Sequence, residues 1–467
     1  MLLASRRARR GARLLTEAPL LTMQLPHSAA EVLACAWCLR PLGTLTRQLA
    51  HLAAPHPPAS PWELPLDEAD DVIAPAVPCA GGCAALFCAS GCAEAAAAAG
   101  HRWLCVPPAA AHARQYERFR AHALAEYDGF FLFGAQAGTP QAPRFCLASP
   151  QLPARAPLLA QPLAPPLLCS LSARLAPPLA PPLASPRLSH LRASLPSPLP
   201  APTSFAPHPA PRSPQIACHI LHALLERKPE PSCPADCTSG GTPCAACVQR
   251  ASAPFSAFCR GLWWEISCVG AEEESREALK SSAARALRLL LALLRAAGVA
   301  PAPLAWLRLD VWGELLGLAR QNSLCVELAN PTRHFVQTLR EWQRCHGGGG
   351  GGGGVRALLA ALPPVAECVV GTALYSRLAR LNHSCAPNAH VRFDRSGGHE
   401  ADVVATRDIE EGEEVTISYI DCNERARVRE RREELADYGF VCDCRKCEVE
   451  LGWERRLRPR RDALDAP

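Results

Sequence analysis

Apolar and polar positions recur with different periods along this chain, and the period sets the element each stretch predicts. From Ser275 to Ala297 the residues Leu279, Ala283, Leu287, Leu290, Leu293 and Leu294 fall at three- and four-residue steps, which predicts a long helix with one buried face. Residues 112–137 repeat that spacing through Tyr116, Phe119, Ala123, Leu124 and Tyr127, so their aromatic stripe reads as core packing. Further helices are predicted over Val311–Ala319 and Val355–Leu362, with Trp263 and Trp264 as a core anchor. Residues 11–34 and Cys325–Leu328 read as strand material. Ala401 to Ile420 reads as a hairpin or a pair of strands: Glu410-Glu411-Gly412-Glu413 is turn chemistry, and Val415, Ile417 and Tyr419 alternate with polar residues. Arg425 to Ala436 predicts a charged helix with a solvated face of i,i+4 pairs.

Composition changes this picture in two places. Among 467 residues 49% are apolar, enough for a sizeable core, but Ala and 46 Pro inflate the figure. Residues 148–215 repeat Leu-Ala-Pro-Pro-Leu and Ser-Pro units, which exclude helix and sheet and predict disorder. Gln48 to Val77 reads as an exposed loop, and Gly347–Gly354 as a flexible linker without the Gly-Lys-Ser/Thr ending of a phosphate loop. A net charge of +5 is too mild for a nucleic-acid binder, and the basic tail Glu454–Arg461 reads as a solvated end. The most apolar run, Ala286–Ala297, carries Arg288 and Arg295, so no membrane span is predicted. Met1–Leu15 holds arginines but no continuous apolar segment, which argues against a secretory signal; a transit peptide is a minority reading.

The 24 cysteines cluster in pairs beside a histidine, a pattern that means metal rather than disulfides when no secretory signal is present. Cys442, Cys444 and Cys447 form a C-x-C-x-x-C turn that can hold three corners of a zinc tetrahedron, with Cys385 as the natural fourth ligand. Four protein ligands leave no open position, so the role is structural. A second constellation comprises Cys35, Cys38, Cys79, Cys83, Cys88, Cys92, His101 and Cys105, enough ligands for two more zincs. Cys233, Cys237, Cys244 and Cys247 have ligand-like spacing as well, but their Pro, Ser and Gly surroundings give no fold, and no metal is expected there.

Asn382-His383-Ser384-Cys385, then Gly412 to Tyr419, then Tyr438-Gly-Phe440-Val-Cys442-Asp-Cys444-Arg-Lys-Cys447 together resemble the end of a SET-domain lysine methyltransferase with its post-SET zinc site. Val415–Asp421 and Leu435–Phe440 are especially similar to plant trithorax-related proteins of SET-plus-MYND architecture. Phe87-Cys88-Ala-Ser-Gly-Cys92 and the cysteine order around it resemble a MYND finger. The resemblance implies interleaved ligands, with Cys35, Cys38, Cys88 and Cys92 on one zinc and Cys79, Cys83, His101 and Cys105 on the other. It implies that Asn382, His383 and Asn322 contact S-adenosylmethionine, that Tyr419 and Tyr438 line the methyl-transfer channel as catalytic residues, and that Tyr419 and Phe440 pack near the cofactor. By itself Asn322 would read as a turn or helix-stop residue.

The expected fold class is α+β: a SET-domain β-fold with an inserted MYND zinc finger, a helical SET-insertion region, a post-SET zinc site and a disordered Pro/Ala-rich insertion. The expected boundaries are 1–34 for the N-terminal part of SET, 35–105 for the finger, 106–147 for a helical segment and 148–250 for the disordered insertion. Residues 251–346 follow as the SET helical insertion, 347–354 as the linker, 355–440 as the catalytic core and 441–467 as the zinc site with its tail. The family's glycine-rich cofactor turn has no counterpart in Met1–Arg10, so the N-terminal part of SET is expected to be truncated and activity is in question. The implied function is methyl transfer from S-adenosylmethionine to lysine of histone H3 or another protein, with three structural zincs. The implied compartment is the nucleus, with the cytoplasm as a second one, and proline-rich peptides are partners for the finger. The rival reading is a catalytically impaired adaptor in chromatin or transcription regulation; a RING-type ligase is the weaker third.

Overall fold

The computed structural model describes residues 2–53, 71–127, 214–226, 230, 232–239, 241–267, 273–346, 353–393, 398–422, 427–436 and 438–457. Twelve strands are present among them: β1 (Arg13–Glu17), β2 (Leu21–Gln24), β3 (Gly43–Thr44), β4 (Val72–Ala74), β5 (Val77–Pro78), β6 (Leu86–Phe87), β7 (Ser323–Ala329), β8 (Cys368–Leu374), β9 (Asn382–His383), β10 (Ala389–Phe393), β11 (Ala401–Ala405) and β12 (Thr416–Ile417). They form small sheets ordered β1-β11-β10, β2-β8-β7, β12-β9, β3-β4 and β5-β6.

Strands β7, β8, β10, β11 and β12 share one apolar core, while β4 and β6 pack into a separate one with the amino-terminal cysteines. On β7 the alternation is strict, with Leu324, Val326 and Leu328 buried and Ser323, Cys325 and Glu327 half-buried. Val369 and Ala373 of β8, Leu381, Ala389, Val403, Val415 and Ile417 complete that core. The amino-terminal segment is stitched to the far end of the chain: Ala4 donates to the Glu413 carbonyl, Gly412 to Ala4, and Val415 to Leu2, each at 2.8–2.9 Å. Glu17 at the end of β1 accepts from the backbone of Arg377 and Leu378, fixing the short turn that enters β9.

Beside the sheets lies a helical unit. Glu273–Ala296 buries Leu279, Ala283, Leu287, Leu290, Leu293 and Leu294, the face its spacing predicts. Ala113–Tyr127 packs Tyr116, Phe119 and Ala123 into the same core, together with Trp263, Trp264 and Trp312. Leu309–Asn322 carries Gly313 and Gly317 on one face; a Cβ on Gly317 would collide with the Gly261 carbonyl, so glycine lets the 261–264 segment lie against the helix backbone.

The structure corrects several expectations. Residues 26–31 are helical, not strand, and start on a proline at the first turn, where its missing N–H costs nothing. Disorder was expected throughout 148–250, but Pro214–Leu225 is a helix whose Ile216, Ala217, Cys218, Ile220, Leu221 and Leu224 are buried, an apolar stripe that outweighs the neighbouring prolines. Residues 128–213 lie outside the described residues, as do 54–70, Gly347–352 and the tail beyond 457. Gln48, placed in an exposed loop, is buried in the Leu45–Leu52 helix and donates to the Leu33 and Leu42 carbonyls at 2.7 and 2.8 Å. β11 and β12 do not pair as a hairpin: β11 lies between β1 and β10, and β12 pairs with β9. No helix among the described residues is long and apolar enough to cross a membrane.

Candidate functional site

The site is built where β12 runs parallel to β9, with Thr416 opposite Asn382 and Ile417 opposite His383. Parallel pairing of two such short strands needs a device beyond two ladder bonds, and buried Asn388 supplies it. Its Oδ1 accepts from the Thr416 N–H at 2.8 Å, and its Nδ2 donates to the Glu414 carbonyl at 2.8 Å. Asn382 Nδ2 donates to Glu414 Oε1 at 2.7 Å, and Ser384 N–H to the Ile417 carbonyl at 2.9 Å. The chain leaves β12 pointing Tyr419 back across His383.

His383 Nδ1 accepts from the Tyr419 N–H at 3.0 Å, so that nitrogen carries no proton. Burial, aided by the Arg431 charge, holds its imidazole down to about 4, which keeps it neutral. Around it stand Tyr419 (ring centroids 5.4 Å apart) and Phe440 (5.9 Å), with Tyr438 at 5.1 Å from Tyr419. The Tyr419 hydroxyl donates to the Leu381 carbonyl at 2.5 Å, and the Tyr438 hydroxyl to the Tyr419 carbonyl at 3.3 Å. Burial, with a smaller push from Tyr438, raises the Tyr419 phenol to about 12. The rings of Tyr419, Tyr438 and Phe440 are half-buried, so part of this aromatic wall faces outward. Such a wall is suited to a cation, because ring faces are electron-rich.

A cysteine cluster braces the wall. The sulfurs of Cys385, Cys442, Cys444 and Cys447 lie within 4.8 Å of one another, with Cys385–Cys442 at 3.8 Å and Cys385–Cys447 at 3.5 Å. Four sulfurs about 2.3 Å from a shared zinc would stand about 3.8 Å apart. Arg431 bears on this cluster. It was expected on a solvated helix face; the structure buries it completely, with Nη2 donating to Cys447 Sγ at 3.4 Å and Nη1 paired with Glu450 at 3.1 Å. A buried guanidinium needs negative charge beside it, and four thiolates around one divalent ion leave two such charges.

A SET domain model matches residues 271–420. The chain is 36% identical over 143 residues to "Histone-lysine N-methyltransferase ATXR2" of Arabidopsis thaliana, a match covering 30% of this chain and 29% of that protein. It is 42% identical over 82 residues to "Protein-lysine N-trimethyltransferase SMYD5" of Homo sapiens (17% and 19% covered) and 44% identical over 82 residues to human "Histone-lysine N-methyltransferase SMYD3" (17% and 18%). Residues 271–420 are thus similar to a SET domain, and the relatives that share this similarity carry lysine methyltransferase names. The chain spans less than a third of the length of these curated relatives.

The matched SET segment contains Asn322, Asn382, His383 and Tyr419; Tyr438, Phe440 and the three clustered cysteines follow it. Asn322 stands apart from the aromatic wall in its bonding. It is buried, with Oδ1 accepting from the Cys259 N–H at 3.1 Å and Nδ2 donating to the Cys259 and Leu318 carbonyls at 2.9 and 2.8 Å. Its amide clamps the 259 segment to the helix end, the helix-stop role its residue type suggests.

The amino-terminal cysteines gather in the two interleaved sets. Cys35, Cys38, Cys88 and Cys92 form one, with Cys38–Cys88 at 3.6 Å and Cys88–Cys92 at 3.4 Å. Cys79, Cys83, His101 and Cys105 form the other, with His101 Nε2 3.4 and 3.5 Å from Cys79 and Cys83. A Cβ at Gly81 would run into Cys105 Sγ, so glycine is what the wide Cys79–Cys83 spacing requires. Each of these sets could hold a metal ion. Sequence reasoning missed Asn388, Arg431 and Cys422, the last grouped with His383 and Cys385. Asn388 carried a readable signal, an Asn in the same polar loop directly after Pro387; Arg431 did not, because a buried arginine looks like any other in a charged helix.

Proposed function

We propose that the chain is an S-adenosylmethionine-dependent protein-lysine N-methyltransferase acting on histone lysines, with histone H3 as the expected substrate and the nucleus as its place of action. The observation that carries this reading is the β9–β12 pairing, which sets Asn382 and His383 against an aromatic wall of Tyr419, Tyr438 and Phe440. The names of the relatives, histone-lysine and protein-lysine methyltransferases, support the substrate class.

The residues present fit a cationic sulfonium cofactor: half-buried ring faces and a neutral imidazole. S-adenosylmethionine would supply an electrophilic methyl group. The lysine amine that takes up this methyl group would have to be neutral and held in line with it, its proton passing to solvent. The protein's task is to align a neutral amine and exclude water. Tyr419 stays a phenol because its acidity is suppressed, so its ring presents no anion that would hold the amine as an ammonium. The two tyrosine hydroxyls are fixed to backbone carbonyls, which sets the channel's shape. Asn382 and His383 would orient the cofactor beside it. Asn322 acts by positioning the 259 segment. Three zincs, at the two amino-terminal sets and the cluster of Cys385, Cys442, Cys444 and Cys447, would brace the finger and the wall. The finger's expected proline-rich peptide ligands belong to the same reading.

The test is titration calorimetry of S-adenosylmethionine into the wild-type chain and Asn382→Ala, with zinc content measured on both samples. Micromolar binding by wild type and at least tenfold weaker binding by the variant, at equal zinc, is expected. A folded, zinc-loaded wild type that does not bind contradicts the reading and favours the adaptor.

A further inference from the structure

Between Cys233 and Cys247 the chain reads CPADCTSGGTPCAAC, and its largest apolar side chain is proline. So small a loop has no core of its own to fold around. The structure nevertheless gives it a defined shape: a turn in which Cys233 N–H donates to Glu230, a short helix Ala235–Thr238, and a helix Ala245–Ala251 opening at Cys244. Its four sulfurs point to one place. Cys233 and Cys237 each lie 3.7 Å from Cys247, Cys244 lies 3.9 Å from Cys233, and all four fall within 4.8 Å of one another. These separations are far beyond a disulfide's length of about 2.05 Å and match the roughly 3.8 Å edge of a zinc–thiolate tetrahedron.

Two further features belong to thiolates. The Cys244 N–H donates to Cys237 Sγ at 3.4 Å. Arg250 Nη2 donates to Cys247 Sγ at 3.3 Å and reaches Cys233 Sγ at 4.0 Å, while its guanidinium is also paired with Glu230. The carboxy-terminal cluster shows the same construction, with Arg431 against Cys447 and Glu450. Cys237 and Cys247 are buried in the helical core, so the loop is docked on the SET domain and not hung from it.

We infer that Cys233, Cys237, Cys244 and Cys247 form a fourth structural zinc site, separate from the three sets already assigned and independent of the catalytic reading. Its position gives it a purpose. The Ala245–Ala251 helix runs into buried Phe255 and Phe258 and then to Cys259, whose backbone Asn322 clamps at the entry to β7. Zinc at this loop fixes one end of the 252–262 segment, and Asn322 fixes the other.

The experiment is native mass spectrometry of the full chain with zinc counted per molecule, for wild type, Cys244→Ala and Cys233→His. Four zincs in wild type, three in Cys244→Ala and four in Cys233→His, where imidazole replaces one thiolate, are expected. Three in wild type, or four in Cys244→Ala, would overturn the assignment. Wild-type protein alone decides the matter if the variants fail to fold: iodoacetamide should label Cys233 and Cys244 only after chelation, and rapid labelling before chelation would overturn it.

Discussion

Arg431→Met separates a zinc-thiolate cluster from a group of neutral thiols. The wild-type guanidinium is fully buried, 3.4 Å from Cys447 Sγ and 3.1 Å from Glu450. Methionine fills much of the same volume without charge. If the cluster holds zinc and carries negative charge, the substitution leaves that charge buried and unmatched, a loss of about 3–5 kcal/mol for a fully buried pair. Glu450 keeps a quarter of its side chain in water and can rehydrate, which points to the lower end, about 3 kcal/mol. That amounts to roughly two orders of magnitude in zinc affinity at this cluster if the loss falls on metal binding. Without metal the loss is smaller. Burial pushes the Cys442 thiol to about 12 and the Cys447 thiol to about 11, so both are neutral at pH 7 and Arg431 keeps Glu450 as a charged partner. The assay is zinc release to a colorimetric chelator, with urea unfolding of the zinc-loaded and stripped forms. Faster release and lower holo stability for Arg431→Met, with a smaller loss in the stripped form, are expected. Equal release rates and equal holo stability would refute the argument.

Other expectations follow from single contacts. Tyr419→Phe removes the hydroxyl bonded to Leu381 at 2.5 Å and should lower methyl transfer by ten- to a hundredfold, about 1–3 kcal/mol, with zinc content unchanged; unchanged turnover removes Tyr419 from the mechanism. Asn322→Leu loses three amide hydrogen bonds, two of them to exposed Cys259, whose backbone can rehydrate, and should cost about 2 kcal/mol in urea unfolding; a loss near zero would show that the clamp is idle. Gly317→Ala should destabilise the chain by about 1–3 kcal/mol through the Gly261 contact, and wild-type stability in the variant would mean that the segment moves freely. With the Tyr419 phenol raised to about 12, its stabilising protonated form is intact below about pH 10 and is lost only as pH rises through about 12. The rate should therefore climb between about pH 7 and 9 with the neutral fraction of the substrate lysine alone, and a break in that range removed by Tyr419→Phe would contradict this.

Much of the site could be read from residue order, because its chemistry is local. Cys442, Cys444 and Cys447 sit in one turn, and Asn382 to Cys385 in one loop, so spacing alone groups them. The long helix Glu273–Ala296 was legible for the same reason: its period persists over many turns. What could not be read depends on distant pairing. β12 has two residues and no hairpin partner; only Asn388 and the β9 edge define it. Arg431 has the composition of a surface helix, and its burial follows from a cluster assembled from two distant places in the chain, Cys385 and the Cys442–Cys447 turn. The Cys233–Cys247 loop had the right ligands but a composition that offered no fold, since its order depends on those ligands and on Pro214–Leu225, which proline-rich sequence precedes.

The central claim is tested most directly by methyl transfer itself. Purified zinc-loaded chain would be incubated with isotopically labelled S-adenosylmethionine and histone H3, with Tyr419→Phe in parallel and lysine sites mapped by mass spectrometry. Label on H3 lysines that depends on Tyr419 is the predicted result. No transfer to H3 or to other core histones by a chain shown to bind the cofactor would contradict the account.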